Sequence, residues 1–146
     1  TLPTRQIEVA VVGDFEFSGL TFAGGLTPEA AIAARMNIVD GIYSSQVGVK
    51  IVVTDVTVFR SESDPFTSTT VPSTLLNELG NWRRATAAQA ARGLTHLLTG
   101  RDLDGTTVGI AFLGSLCSAR GGAGLTQGTL SATNSALVIA HEMGHN

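Results

Sequence analysis

Between Gln6 and Asp14 the chain alternates with a period of two: Ile7, Val9 and Val11 fall on one side, Ala10 and Val12 on the other. That pattern predicts a strand, and apolar residues on both faces place it inside a sheet covered by helices. Gly13 to Gly25 carries four glycines and reads as a loop. Thr27-Pro28-Glu29 predicts a helix start. Thr27 caps the first free N–H groups, Pro28 suits the first helical position, and Glu29 suits the positive end of the helix dipole. Ile32, Met36, Val39 and Tyr43 then recur at helical spacing, so the helix should run to about Ser45 and lay that stripe on the sheet. Val49 to Phe59, rich in Val, Ile and Thr, predicts a long strand. Strand, helix, strand in this order predicts a right-handed parallel crossover.

Arg60 to Val71 is a polar loop with Pro65. Ser73 is placed to cap a second helix that carries Leu75, Leu79 and Trp82 on one face, and Ala85 to Arg92 either continues it or forms a separate piece. Asp104-Gly105 is a turn signal, with Asp102 also a turn residue. Thr106 to Cys117 predicts the next strand, Gly121-Gly122-Ala123-Gly124 a flexible loop, and Leu125-Thr126-Gln127 a short strand. Thr133 or Asn134 starts the last helix, with Leu137 and Ala140 facing inward. The fold class is α/β: a mixed, mostly parallel sheet of four to five strands packed with helices.

Composition narrows the function classes. With 146 residues, one domain over 1–146 is the natural count. Apolar residues make up 43% and charged residues 14%, which favours a compact globule over disorder. The net charge is −3 and the arginines are scattered apart from Arg83-Arg84, so no basic stripe suggests a nucleic-acid partner. No apolar run approaches the roughly 18 residues of a membrane span, and Thr1 to Arg5 has no signal-peptide apolar region. Cys117 is the only cysteine. It reads either as a small buried residue in a strand or, in a secreted protein, as half of a disulfide whose partner lies elsewhere.

The chemistry is concentrated in His141-Glu142-Met143-Gly144-His145-Asn146. Two histidines four apart on a helix share a face one turn apart, close enough to share a zinc ion. Glu142 then sits beside the metal, where a carboxylate can take a proton from the attacking water. The competing reading is a solvated helix end with two unrelated histidines.

Further motifs stand upstream. Leu97-Leu98-Thr99-Gly100, the strand Gly109-Ile110-Ala111-Phe112-Leu113-Gly114, Cys117, the Gly-rich loop and the H-E-x-G-H-N run occur in that order, after Asn81-Trp82-Arg83. This order resembles the adamalysin (reprolysin) branch of the metzincin zinc peptidases. The resemblance is specific over the last third of the chain. It implies a zincin-like fold, with Leu97 to Gly100 as a turn and Gly109 to Gly114 as an edge strand above the active site. It also implies an exported protein, His141 and His145 as zinc ligands, Glu142 as general base, and a protein or peptide substrate held along the edge strand. The metzincin pattern continues to a third histidine, which counts to five residues past Asn146. The chain is therefore expected to be the N-terminal subdomain of the catalytic domain. Its uncovered face could pair with another chain. Gly144 is expected to keep the helix slim, and Cys117 to pair with a cysteine outside this sequence. Some members of the family bind calcium through a Glu in the first strand. Glu8 matches that position, but Gly93 stands where a second carboxylate is needed, so Ca2+ is doubtful. His96, the remaining histidine, reads as a partly exposed residue beside the turn rather than a ligand. The alternative function is a non-enzymatic protein-binding module derived from a metalloprotease. A retained Glu142 argues against it, because such a module needs no general base.

Overall fold

The computed structural model describes residues 2–146. Five strands, β1 (Arg5–Gly13), β2 (Val49–Val58), β3 (Leu94–Thr99), β4 (Gly109–Ala111) and β5 (Ala123–Gln127), form one sheet in the order β2-β1-β3-β5-β4. β2, β1, β3 and β5 are mutually parallel, and β4 closes one edge antiparallel to β5. The helices are α1 (Phe15–Ser18), α2 (Pro28–Gln46), α3 (Pro72–Ala85), α4 (Ala87–Ala90) and α5 (Ala132–His145).

The alternation in β1 does what its pattern predicts. Val9 and Val11 join Ile32, Met36 and Val39 of α2 and Ala136, Ile139 and Met143 of α5 on one face. Val12 joins Leu75, Leu76 and Leu79 of α3 on the other. Both faces of the sheet are covered, and burial of these apolar side chains stabilises the layers at roughly 25 cal/mol per Å². Thr27 caps α2 by accepting from Ala30 N at 3.2 Å.

Several boundaries differ from the sequence expectation. Gly13 to Gly25 is not plain loop. The Asp14 side chain caps α1, accepting from Phe17 N at 2.8 Å, and a short 3-10 turn follows at Ala23–Gly25. Pro72 opens α3, so Ser73 lies inside the helix and Val71 at the cap makes no side-chain bond. Thr86 breaks the alanine-rich run into a separate α4. Leu97 to Thr99 is not a turn but the end of β3, all of whose residues are buried. The reason lies at Asp14, fully buried, which also accepts from Thr99 Oγ1 at 2.5 Å and Gly100 N at 3.0 Å. Burial pushes the Asp14 carboxyl above its ordinary pKa, against the pull of these donors. At Gly100 any Cβ would strike the Glu16 backbone, so glycine there lets α1 dock on the end of β3. Ala123 and Gly124, expected in a flexible loop, instead begin β5.

Candidate metal centre

Helix α5 starts at Ala132, not at Thr133 or Asn134, because Ser131 supplies the cap and accepts from Asn134 N at 3.2 Å. Its buried face is Ser135, Ala136, Ile139, Glu142 and Met143. Leu137, expected to face inward, is 55% exposed. At a spacing of four it lies on the same outward stripe as His141 and His145, both exposed.

The two imidazoles converge. His141 Nε2 and His145 Nε2 lie 3.0 Å apart, with ring centroids 4.6 Å apart and planes at 88°. Two imidazole nitrogens bound to one tetrahedral zinc would stand about 3.3 Å apart. The pair therefore fits a shared cation with little adjustment. Among the described residues no third His, Cys, Asp or Glu completes a metal-holding group with them.

Glu142 turns inward beside them and is 7% exposed. Burial pushes its carboxyl above the ordinary carboxylate value, while His141 and His145 pull the other way. The position depends on Gly109 of β4. A Cβ there would stand 2.8 Å from Val138 Cγ1 and 2.9 Å from Glu142 Oε1. We expect Gly109→Ala to destabilise the fold by about 1–3 kcal/mol through this overlap. Urea denaturation checks it, and unchanged stability would show that Glu142 is not held by this contact.

Of the residues expected in the edge strand, only Gly109, Ile110 and Ala111 are strand, and they do lie at the sheet edge. Phe112, Leu113 and Gly114 leave it, with Gly114 at φ 58 and Leu113 75% exposed. The predicted strand to Cys117 is cut short because its backbone turns to cap α5. Gly114 N donates to His145 O at 2.8 Å, and Ser115 N and Leu116 N donate to Asn146 O at 2.6 and 2.9 Å. Asn146 adds its side chain, with Nδ2 donating to Phe112 O at 2.9 Å and Ala123 O at 3.0 Å. The last residue of the motif thus ties the histidine helix to β4 and β5, a role its position in the motif did not disclose. Tyr43 Oη donates to Ala140 O at 2.7 Å and ties α2 to α5 in the same way. Gly144 is exposed, and a Cβ there would meet only Tyr43 Oη at 3.5 Å, an ordinary contact, so among the described residues no neighbour requires a slim helix.

The remaining candidates lie elsewhere. His96 is not partly exposed: it sits in the middle of β3, 1% exposed, with Nε2 2.8 Å from Thr126 Oγ1. Glu8 accepts from Arg92 Nη1 at 3.1 Å, and the same guanidinium donates from Nε to Asp55 at 2.6 Å. A side-chain cation thus already faces the Glu8 carboxylate, which argues against calcium there. Cys117 is neither buried nor in a strand. It is exposed at φ 67, with its N–H donating to Gly93 O at 3.0 Å.

A mostly parallel sheet with an antiparallel edge strand, and a His-Glu-x-x-His helix packed along that edge, defines a zincin-like metallopeptidase fold. Residues 29–146 match the metallo-peptidase family M12B, reprolysin-like, and the chain belongs to that family, the adamalysin-like branch of the metzincins. It is also similar to the zinc metalloproteinase-disintegrin-like atragin of Naja atra, 42% identical over 73 residues, a match covering 49% of this chain and 12% of that protein. The matched segment is thus a small part of that relative's length.

Proposed function

We propose that this chain is the N-terminal subdomain of the catalytic domain of a secreted zinc endopeptidase. The observation that carries the reading is the convergence of the His141 and His145 Nε2 atoms to 3.0 Å, with the Glu142 carboxylate buried beside them. His141 and His145 hold the metal, and a third ligand comes from outside these residues. Zinc held by these two side chains would supply Lewis-acid chemistry for the peptide carbonyl and the attacking water. Glu142 receives the proton of the attacking water and returns it to the leaving amine. The free edge of β4 at Gly109, Ile110 and Ala111 takes the substrate backbone as an added strand. Phe112, Leu113 and Gly114 border that strand rather than extend it. Cys117, exposed, is free to form a disulfide with a cysteine beyond this sequence.

A protein-binding module is the weaker reading. Burial of the Glu142 carboxyl beside the two histidines costs stability, and a catalytic role gives that burial a use.

Zinc content per chain by elemental analysis tests the proposal, together with His141→Ala and Glu142→Gln. The expected result is bound zinc that is lost in His141→Ala and kept in Glu142→Gln. Zinc that survives His141→Ala would sink the ligand assignment. The chain by itself is expected to show little or no proteolysis, because two histidines fix the metal less well than three. Zinc-dependent turnover at the level of an intact metalloprotease would refute that corollary.

A further inference from the structure

A cavity of about 280 Å³ opens at the amino end of α5, away from the histidine pair. Leu20, Phe22, Leu26 and Leu130 line its apolar side, and Arg35 and Ser131 its polar side. Arg35 is only 4% exposed. Its Nη1 donates to Ala31 O at 3.1 Å and its Nη2 to Leu130 O at 3.0 Å. The guanidinium carbon lies 5.4 Å from the centre of the Phe22 ring. Its Nε is buried with no hydrogen-bond partner.

No carboxylate neutralises this charge. Among the described residues the acidic groups in ion pairs are taken by Lys50, Arg60, Arg92 and Arg101. No Asp or Glu lines the cavity. A guanidinium stays protonated under all ordinary conditions, and a buried charge without a counter-charge is costly. The start of α5 adds to the same sign, since the free N–H groups of a helix N-terminus carry partial positive charge. A buried cation without a counter-charge, a helix start and an apolar wall therefore border one small space.

We propose that this cavity binds a small organic carboxylate with a short apolar tail. The carboxylate meets Arg35 and the amino end of α5, and the tail lies against Leu20, Phe22 and Leu26. A single negative charge matches the single guanidinium. The apolar wall favours such a ligand over a bare inorganic anion, and the volume, at the low end for ligand sites, limits it to a small molecule.

The test is a heteronuclear NMR titration of the whole chain with hydrocinnamate, following the Arg35 Nε–H signal and the amides of Ser131 and Ala132. Hydrocinnamamide and inorganic phosphate serve as controls. The expected result is saturable shifts at these groups, with affinity at least about tenfold weaker for the amide, for phosphate and for the Arg35→Met variant. Should Arg35→Met not fold, Thr21→Glu takes its place. Thr21 is an exposed lining residue, and a carboxylate there is expected to compete with the ligand and weaken binding. No saturation by about 20 mM, or equal binding of the amide or of phosphate, would overturn the proposal. So would an affinity that neither variant changes.

Discussion

Lowering the pH from neutral is expected to cost this fold up to roughly 5 kcal/mol through one residue, His96. Burial holds its pKa down, from 6.5 to about 3. In the unfolded chain the imidazole takes a proton near its ordinary value, while in the folded chain it stays neutral. Between those two values the unfolded state binds more protons, so stability falls as pH falls, by about 1.4 kcal/mol per unit. The contribution is fully present above pH 6.5 and is lost progressively towards pH 3. The folded structure offers little relief. Nε2 is 2.8 Å from Thr126 Oγ1, and Nδ1 is buried with no partner. A typical domain has only about 5–15 kcal/mol in total, so acid unfolding should begin well above the carboxylate range. Urea denaturation of wild type and His96→Leu between about pH 7 and pH 4 measures it. The variant should be about 1 kcal/mol less stable at neutral pH, from the lost bond to Thr126, yet fall less steeply in acid. Parallel profiles would show that His96 is not the source.

Removing the Arg83 guanidinium is expected to be comparably damaging, at about 3–5 kcal/mol for Arg83→Met. Arg83 is fully buried, and the cost of desolvating its charge pulls its pKa below the ordinary guanidinium value. Its donors reach Gln89 O at 2.6 Å, Arg92 O at 2.7 Å, Ser118 O at 3.2 Å and Thr95 Oγ1 at 3.0 Å. One side chain thus joins α3, the segment around α4, β3 and the loop before β5. Methionine fills much of the space but leaves Arg92 O without a donor, at about 1–3 kcal/mol, and takes one of two donors each from Gln89 O and Ser118 O, which keep Arg92 N and Gly122 N, as well as the bond to Thr95. Arg83→Lys should recover only part, because a point charge cannot span the fan of acceptors. Equilibrium unfolding in urea gives the values, and a loss below about 1 kcal/mol for Arg83→Met would mean the network contributes little. The requirement for Arg83 also gives a physical reason for the Trp82-Arg83 pair that the family resemblance singled out.

What the chain disclosed in advance depended on how local the cause was. β1, α2 and β2 were legible because their apolar spacing matches the period of the element and both faces are buried in a simple way. β3 was hidden. Leu94–Thr99 mixes leucine with Thr95, His96 and Thr99, and looks half-exposed. Those polar groups are buried only because Arg83, Gln89, Asp14 and Thr126 arrive from distant segments to bond them. Thr106 to Cys117 looked like one strand. Its second half was redirected by carbonyls at the end of α5, roughly 30 residues away along the chain. Leu137 looked like core, yet it lies on the stripe that carries the histidines.

The pairing of His141 with His145 is written in their spacing, because the helix pitch puts positions four apart on one face whatever surrounds them. The family is equally legible, since the ordered motifs from Trp82 to Asn146 are carried in the letters. That Glu142 is buried against Gly109, that His96 is a neutral core residue, that Arg92 faces Glu8 and that Arg35 is buried without a counter-charge follow from the folded chain alone. Each of these rests on contacts between segments far apart in sequence. Burial and electrostatic environment are properties of such contacts, and a one-dimensional pattern does not contain them.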